Sequence, residues 1–158
     1  MLDLCPAGLT HQFTGMEEAV SLIERTLGKE QLEENVELEK SFSAKDNDGE
    51  IGLEVSGDTR WDKRGTGSNY NSDSGCHLIT GNMTKRVLAA CPMSRQCAKC
   101  EHNKDHPKEL CSKNYNGSSK GMEAYGATQN VNWLFDNLKC YIKKYVSDDD
   151  SSTKSVLR

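Results

Sequence analysis

Three strand-length patterns, one long helical stripe and a fourth strand-length pattern follow one another between residues 51 and 146, and that order constrains the fold more than any other feature. Ile51, Leu53 and Val55 alternate with small or polar neighbours, which predicts a strand of about six residues, and Asp58 follows its end. Cys76 to Thr80 reads as a second strand, Gly81-Asn82 as a hairpin turn and Thr84 to Ala90 as a third strand. Gly117-Ser118-Ser119 then opens a helix running to about Asn137, with Ala127, Val131, Leu134, Phe135 and Leu138 as its apolar stripe. Cys140 to Val146 reads as a fourth strand. Hairpins join antiparallel neighbours, whereas a helix between two strands allows a parallel crossover. The expected fold is therefore α/β (α+β): a three-stranded meander, a crossover helix, and a last strand parallel to the first.

The remaining segments carry less pattern. Met16, Val20, Ile23 and Leu27 fall at helical spacing, with Thr14 as a cap; Gly28 interrupts, and Gln31 to Lys40 continues as a charged, exposed helix. Asp46-Asn47-Asp48-Gly49 is a turn signal. Gly65 to Gly75 is rich in Gly, Ser and Asn and reads as loop. The organisation expected is an N-terminal helical segment over 1–50 and a partial core over 51–158, with an insertion at 91–116. A chain of 158 residues supports one domain with a modest core, and only 35% of its residues are hydrophobic. The net charge of −4 argues mildly against a free-standing nucleic-acid binder, which is usually basic. It does not exclude a catalytic core whose DNA-gripping parts lie elsewhere. No apolar run approaches the roughly 20 residues of a membrane span, so no membrane partner is expected. Leu2 to Leu9 is short and broken by Asp3 and Pro6, so no secretory signal is expected and the setting is read as intracellular.

If the fourth strand lies parallel beside the first, the strand ends bearing Asp58 and Asp148 sit together. Two such carboxylates are what a divalent-metal phosphoryl-transfer site needs, and hard oxygen ligands suit Mg²⁺. The alternative is a pair of solvated turn acids.

Between Cys91 and Asn116 no periodicity is visible, yet the stretch holds four of the seven cysteines and two of the four histidines. Such a polar segment orders itself poorly by apolar burial and is either floppy or held by a metal. Cys97-Ala98-Lys99-Cys100 is a two-residue knuckle, followed by His106 and Cys111. Thiolate and imidazole suit tetrahedral Zn²⁺, and four protein ligands make a closed structural site. His102 competes for the histidine role, and Cys91 is a further candidate. A redox CxxC is disfavoured because no helix N-terminus clearly follows Cys97. Trp61 is read as a structural aromatic, Lys63-Arg64 as a phosphate contact or a solvated pair, and Lys85-Arg86 as an exposed face of the third strand. His77 and Cys76 are given no chemistry, and Glu123 is read as a structural acid near the positive end of its helix.

Three blocks carry a family resemblance. Gly57-Asp58-Thr59-Arg60-Trp61-Asp62-Lys63-Arg64-Gly65 resembles the D-G-x-W-x-K-R-G signature of the Mutator-like transposase domain. Cys97-x-x-Cys100 with the run from Cys111 through Asn114, Gly117-Ser118-Ser119 and Met122-Glu123 resembles that family's C-x-x-C … C-x-x-N-x-x-G-S-S-x-x-M-E block. Tyr145-Val146-Ser147-Asp148-Asp149-Asp150-Ser151 resembles its Y-x-G-D-G-D-S block, with Ser147 and Asp149 in place of glycines. The resemblance implies a ribonuclease-H-like fold, metal-dependent DNA cleavage and transfer, and a nuclear location. It makes Asp58 the first acid, Asp148 the second and Asp150 the reserve candidate. The family's third acid belongs to a later helix, so this chain is expected to be a truncated copy, inactive alone. A non-enzymatic zinc-containing DNA- or protein-binding module is the rival expectation.

Overall fold

The computed structural model describes residues 28–45, 49, 51–62, 72–102, 105–106 and 111–147. The expected helix over Met16–Leu27, the pair Lys63-Arg64, and both Asp148 and Asp150 lie outside them. In chain order the elements are α1 (28–42), β1 (Gly52–Trp61), β2 (Ser74–Gly81), β3 (Val87–Ser94), the single-turn α2 (Ala98–Glu101), α3 (Ser119–Leu138) and β4 (Tyr141–Val146). The sheet order is β3-β2-β1-β4, with β1 antiparallel to β2, β2 antiparallel to β3, and β1 parallel to β4. The meander, the crossover helix and the parallel return are as the order of patterns predicts.

Alternation decides which side of each strand is buried. In β1, Leu53, Val55, Gly57 and Thr59 turn inward, while Glu54, Asp58 and Arg60 face solvent. In β2, Gly75, His77, Ile79 and Gly81 are the inward set. These side chains meet α3 through Met122, Ala127, Asn130 and Leu134, all buried. Val36 of α1 joins the same cluster as Leu53, Val55, Ile79, Leu88 and Leu134. The other face of the sheet carries Glu54 and Lys144, paired at 3.9 Å, together with Asp58 and Arg60.

Local chemistry sets the ends of α3. Ser118 is its N-cap, in extended backbone, and accepts from the Gly121 N–H, satisfying one of the orphan donors of the first turn. Lys139 closes it in the left-handed region at φ 49°, its N–H donating to Leu134 and Phe135 carbonyls.

Several expectations are corrected. β1 does not end before Asp58: it continues to Trp61, and Asp58 lies inside the strand opposite Leu78. The inward run simply extends past Val55 through Gly57 and Thr59, and β2 supplies partners for it. The β2–β3 connection is longer than a two-residue Gly-Asn turn, so β3 starts at Val87 rather than Thr84. Lys85 takes a left-handed conformation, φ 59°, in that connection, so Lys85-Arg86 precede the strand. The cause is Glu39. Its carboxylate is fully buried and accepts from the N–H groups of Met83 (2.9 Å) and Thr84 (2.8 Å) and from the Thr84 hydroxyl (2.6 Å). That holds both residues in the turn. Consequently α1 is not a wholly exposed charged helix, and it is already helical at Gly28. Phe135, expected in the apolar stripe, is 56% exposed, with Lys139 Nζ 5.6 Å from its ring centroid. Glu123 lies beyond the first turn of α3, which contains no acid.

Candidate functional site

The Cys/His segment is tied to the core at both ends. On the entry side, the Arg95 N–H donates to the Asp73 carbonyl (2.8 Å), and its guanidinium donates to Ser119 Oγ (2.7 Å) at the start of α3. On the exit side, Asn114 behaves like an added rung on β3. Its N–H donates to the Ser94 carbonyl, its side-chain oxygen accepts from the Ser94 N–H (2.8 Å), and its amide donates to the Pro92 carbonyl (2.7 Å). Between these anchors α2 begins directly after Cys97, whose carbonyl accepts from the Glu101 N–H at 3.0 Å. A helix N-terminus does therefore follow Cys97, contrary to the reading from sequence, which saw no periodicity in a single turn.

This frame brings Cys97, Cys100, His106 and Cys111 together, with one ligand atom of each within 4.8 Å of the others. His106 Nε2 lies 3.6 Å from Cys97 Sγ and 3.7 Å from Cys100 Sγ, and Cys100 Sγ lies 3.6 Å from Cys111 Sγ. A tetrahedron with metal–sulfur bonds of about 2.3 Å has edges of about 3.8 Å. The four donors thus sit at the spacing a tetrahedral ion requires, and the group could hold a metal such as zinc. His106 is the histidine of this cluster; His102 is exposed outside it, and Cys91 lies in β3 away from it.

The thiol acidities reflect the crowding. The Cys97 thiol is drawn down to about 5, first by the Ser112 hydroxyl and then by the Cys100 and Lys99 backbone. The Cys100 thiol is pushed up to about 11, chiefly by Cys111 at its side. Cys111 is lowered, first by His106. A cation bound among these sulfurs would neutralise the mutual repulsion of adjacent thiolates. By contrast the thiols of half-buried Cys76 and Cys91 and of buried Cys140 are raised by burial.

At the other candidate centre, Asp58 is exposed on β1. β4 is parallel to β1 there, with Val146 opposite Ser56. Asp58 follows Ser56 by two residues, as Asp148 follows Val146 in the sequence. Under this stretch lies a buried polar chain that the sequence reading left without a role. His77, 1% exposed, faces Asn130 of α3 and Tyr145 of β4. Asn130 Nδ2 donates to the His77 carbonyl (2.9 Å) and lies 3.0 Å from its Nδ1, while Nε2 lies 3.0 Å from the Tyr145 hydroxyl. Burial lowers His77 to about 4, against the opposing pull of Asp58. Burial, then Glu123, then Asp58 push Tyr145 up to about 12. The Tyr145 hydroxyl comes so close over Gly57 that a Cβ there would collide with it. The glycine next to Asp58 is thus a close-approach position. Inward alternation of Gly75, His77 and Ile79 was the signal that could have marked His77 as a buried polar residue.

A mixed α/β core with a Cys₃His cluster built into the crossover between its third strand and its long helix defines the class. The chain belongs to the Mutator-like transposase family, whose family model matches residues 3–158, nearly its full length. No curated protein and no solved structure matches it. Among the described residues no helix is long and apolar enough to cross a membrane.

Proposed function

We propose that this chain carries metal-binding residues of a ribonuclease-H-like DNA transposase catalytic domain, acting on DNA in the nucleus. The observation that carries the reading is the parallel β1–β4 register, Ser56 opposite Val146, because it runs two neighbouring strands toward Asp58 and Asp148 in the same direction. Asp58 and Asp148 are the proposed Mg²⁺ ligands, with Asp150 in reserve. Mg²⁺ keeps several waters and needs only one or two carboxylates plus phosphate oxygens. Bound there, it would activate an attacking oxygen and stabilise the leaving one. The Cys₃His group is proposed to hold Zn²⁺ in a structural role, since four protein ligands leave no position for substrate.

The test is a Mn²⁺ titration of the zinc-loaded chain, with plasmid nicking measured alongside. Saturable binding that disappears in both Asp58→Asn and Asp148→Asn supports the reading, and the chain on its own is expected not to nick DNA. Cleavage without any joining of DNA ends would redirect it to a hydrolytic nuclease. Zinc retained with no second cation bound would overturn it in favour of a non-enzymatic zinc-containing binding module, the reading that the converged Cys₃His group by itself favours.

A further inference from the structure

A cavity of about 250 Å³ opens where the chain leaves β3 and where it enters α3. Asp73, Arg95, Gln96, Lys113, Tyr115 and Asn116 line it, Gly117 completes the wall, and no aliphatic side chain takes part. Neither Asp58 nor any of the four cluster ligands borders it. Its side chains are held in place. Arg95 Nη1 donates to the buried Ser119 Oγ (2.7 Å) and lies 3.8 Å from Asp73 Oδ1. Gln96 Nε2 donates to Asp73 Oδ2 at 3.0 Å, so both oxygens of the one carboxylate in the wall already face donors. Lys113 stands between Ser112, whose hydroxyl donates to the Gln96 carbonyl (3.2 Å), and Asn114 on the β3 edge. The Tyr115 ring centroid lies 4.9 Å from that of Tyr125, and its hydroxyl is so close over Gly117 and Gly121 that a Cβ on either would collide with it. Among the described residues, Nε and Nη2 of Arg95, the Lys113 ammonium and the Tyr115 hydroxyl have no hydrogen-bond partner.

We propose that this cavity is an anion site that holds one backbone phosphate of DNA, with Arg95 and Lys113 supplying the charge and the Tyr115 hydroxyl and Asn116 amide supplying neutral donors. The proposal rests on the reading of the chain as a domain that acts on DNA. Size favours a single group: pockets that enclose whole small molecules run from roughly 300 to 1,000 Å³, and this one is smaller. Two cations against one carboxylate that is already engaged leave the wall net positive, in a chain whose net charge is −4. Guanidinium, ammonium, phenol and amide are the side-chain groups that meet phosphate oxygens, and such contacts fix the register of a protein on DNA without reading its bases. The site is also tied to the Cys₃His cluster. Gln96 immediately precedes Cys97 and Lys113 follows Cys111 by two residues, so the chain segments that bring the ligands together also carry two of the cavity's walls.

The test uses the zinc-loaded chain and a random-sequence DNA duplex, with no other divalent cation. Duplex affinity is measured across salt concentrations for the wild type, for Lys113→Gln and for Lys29→Gln, which removes the same charge from α1. Lys113 is exposed, so its variant keeps the fold. Lys113→Gln should lower the slope of log affinity against log salt by about 0.9, which amounts to about eightfold weaker binding at 0.1 M salt. Lys29→Gln should leave both unchanged. In the wild type, the backbone amides of Gln96, Lys113, Asn116 and Gly117 should shift as duplex is added, with inorganic phosphate as the parallel arm. Equal effects of the two lysine variants, or duplex binding that leaves those amides unmoved, sinks the cavity and spares the DNA reading. Shifts caused by inorganic phosphate but not by duplex make the cavity a free-anion site and overturn its assignment to DNA. No duplex binding even at low salt sinks the DNA reading and the proposal together.

Discussion

The sheet with α3 and the described residues between Cys97 and Asn116 are held by different physics. In the first, Leu53, Val55, Ile79, Met122 and Leu134 are withdrawn from water altogether, and apolar burial offsets the loss of chain entropy. In the second, the only buried hydrophobic side chain among the described residues is Cys97; the surrounding residues are mostly exposed. Its order comes from Asn114 on the β3 edge, Arg95 on Ser119, and four converging ligand atoms. A core of the first kind tolerates the loss of one contact at a graded cost. A ligand cluster of the second kind is close to all-or-none.

Three measurements press on that contrast. The largest effect is expected from Cys100→Ser with zinc present. One-to-one zinc binding should be lost, and amides between Cys97 and Asn116 should exchange freely while those of β1 and β2 stay protected. Uniform loss of protection across the sheet would mean that the two regions are one cooperative unit. Next comes Leu134→Ala, which removes a fully buried side chain. It should cost about 2–5 kcal/mol in a denaturant melt and leave zinc affinity unchanged; a parallel fall in zinc affinity would erase the distinction.

The smallest and most diffuse effect is in pH. His77 titrates near 4 in the folded chain, below its ordinary value near 6.5 in an unfolded one. The unfolded state therefore binds the extra proton first. The contribution of His77 to stability should be constant above the unfolded value and fall as the pH drops from about 6.5 to about 4, by up to about 3 kcal/mol. Denaturant melts across that window, repeated on His77→Gln, check it. The slope belongs to the core and should persist with the zinc ligands substituted.

Much of the sheet was legible because its cues are local. Period-two alternation from Leu53 to Val55, the Gly81-Asn82 signal and the Ser118 cap each report on their own neighbourhood, and the order of elements then leaves few topologies. The cluster was legible for a related reason: two cysteines at knuckle spacing and a histidine in a segment with no apolar pattern have few other uses. What stayed hidden depends on partners distant in sequence. Asp58 was placed after its strand because nothing near it shows that β2 extends to meet it. Lys85 was placed in β3 because the residue that bends the connection, Glu39, is on another element. The His77 ring was passed over because its partners, Asn130 and Tyr145, come from α3 and β4. Between His102 and His106, spacing gave only a preference, and the fold of the knuckle made the choice.

Glu39 has one more consequence. A helix that precedes the first strand looks like a detachable leader, yet its carboxylate is the shared acceptor for two amides and a hydroxyl in the β2–β3 connection. Severing the chain ahead of β1 would leave those three donors to find water, and would open a gap where Val36 fills the core. The edge of the sheet is therefore not a place where this chain can be cut without loss.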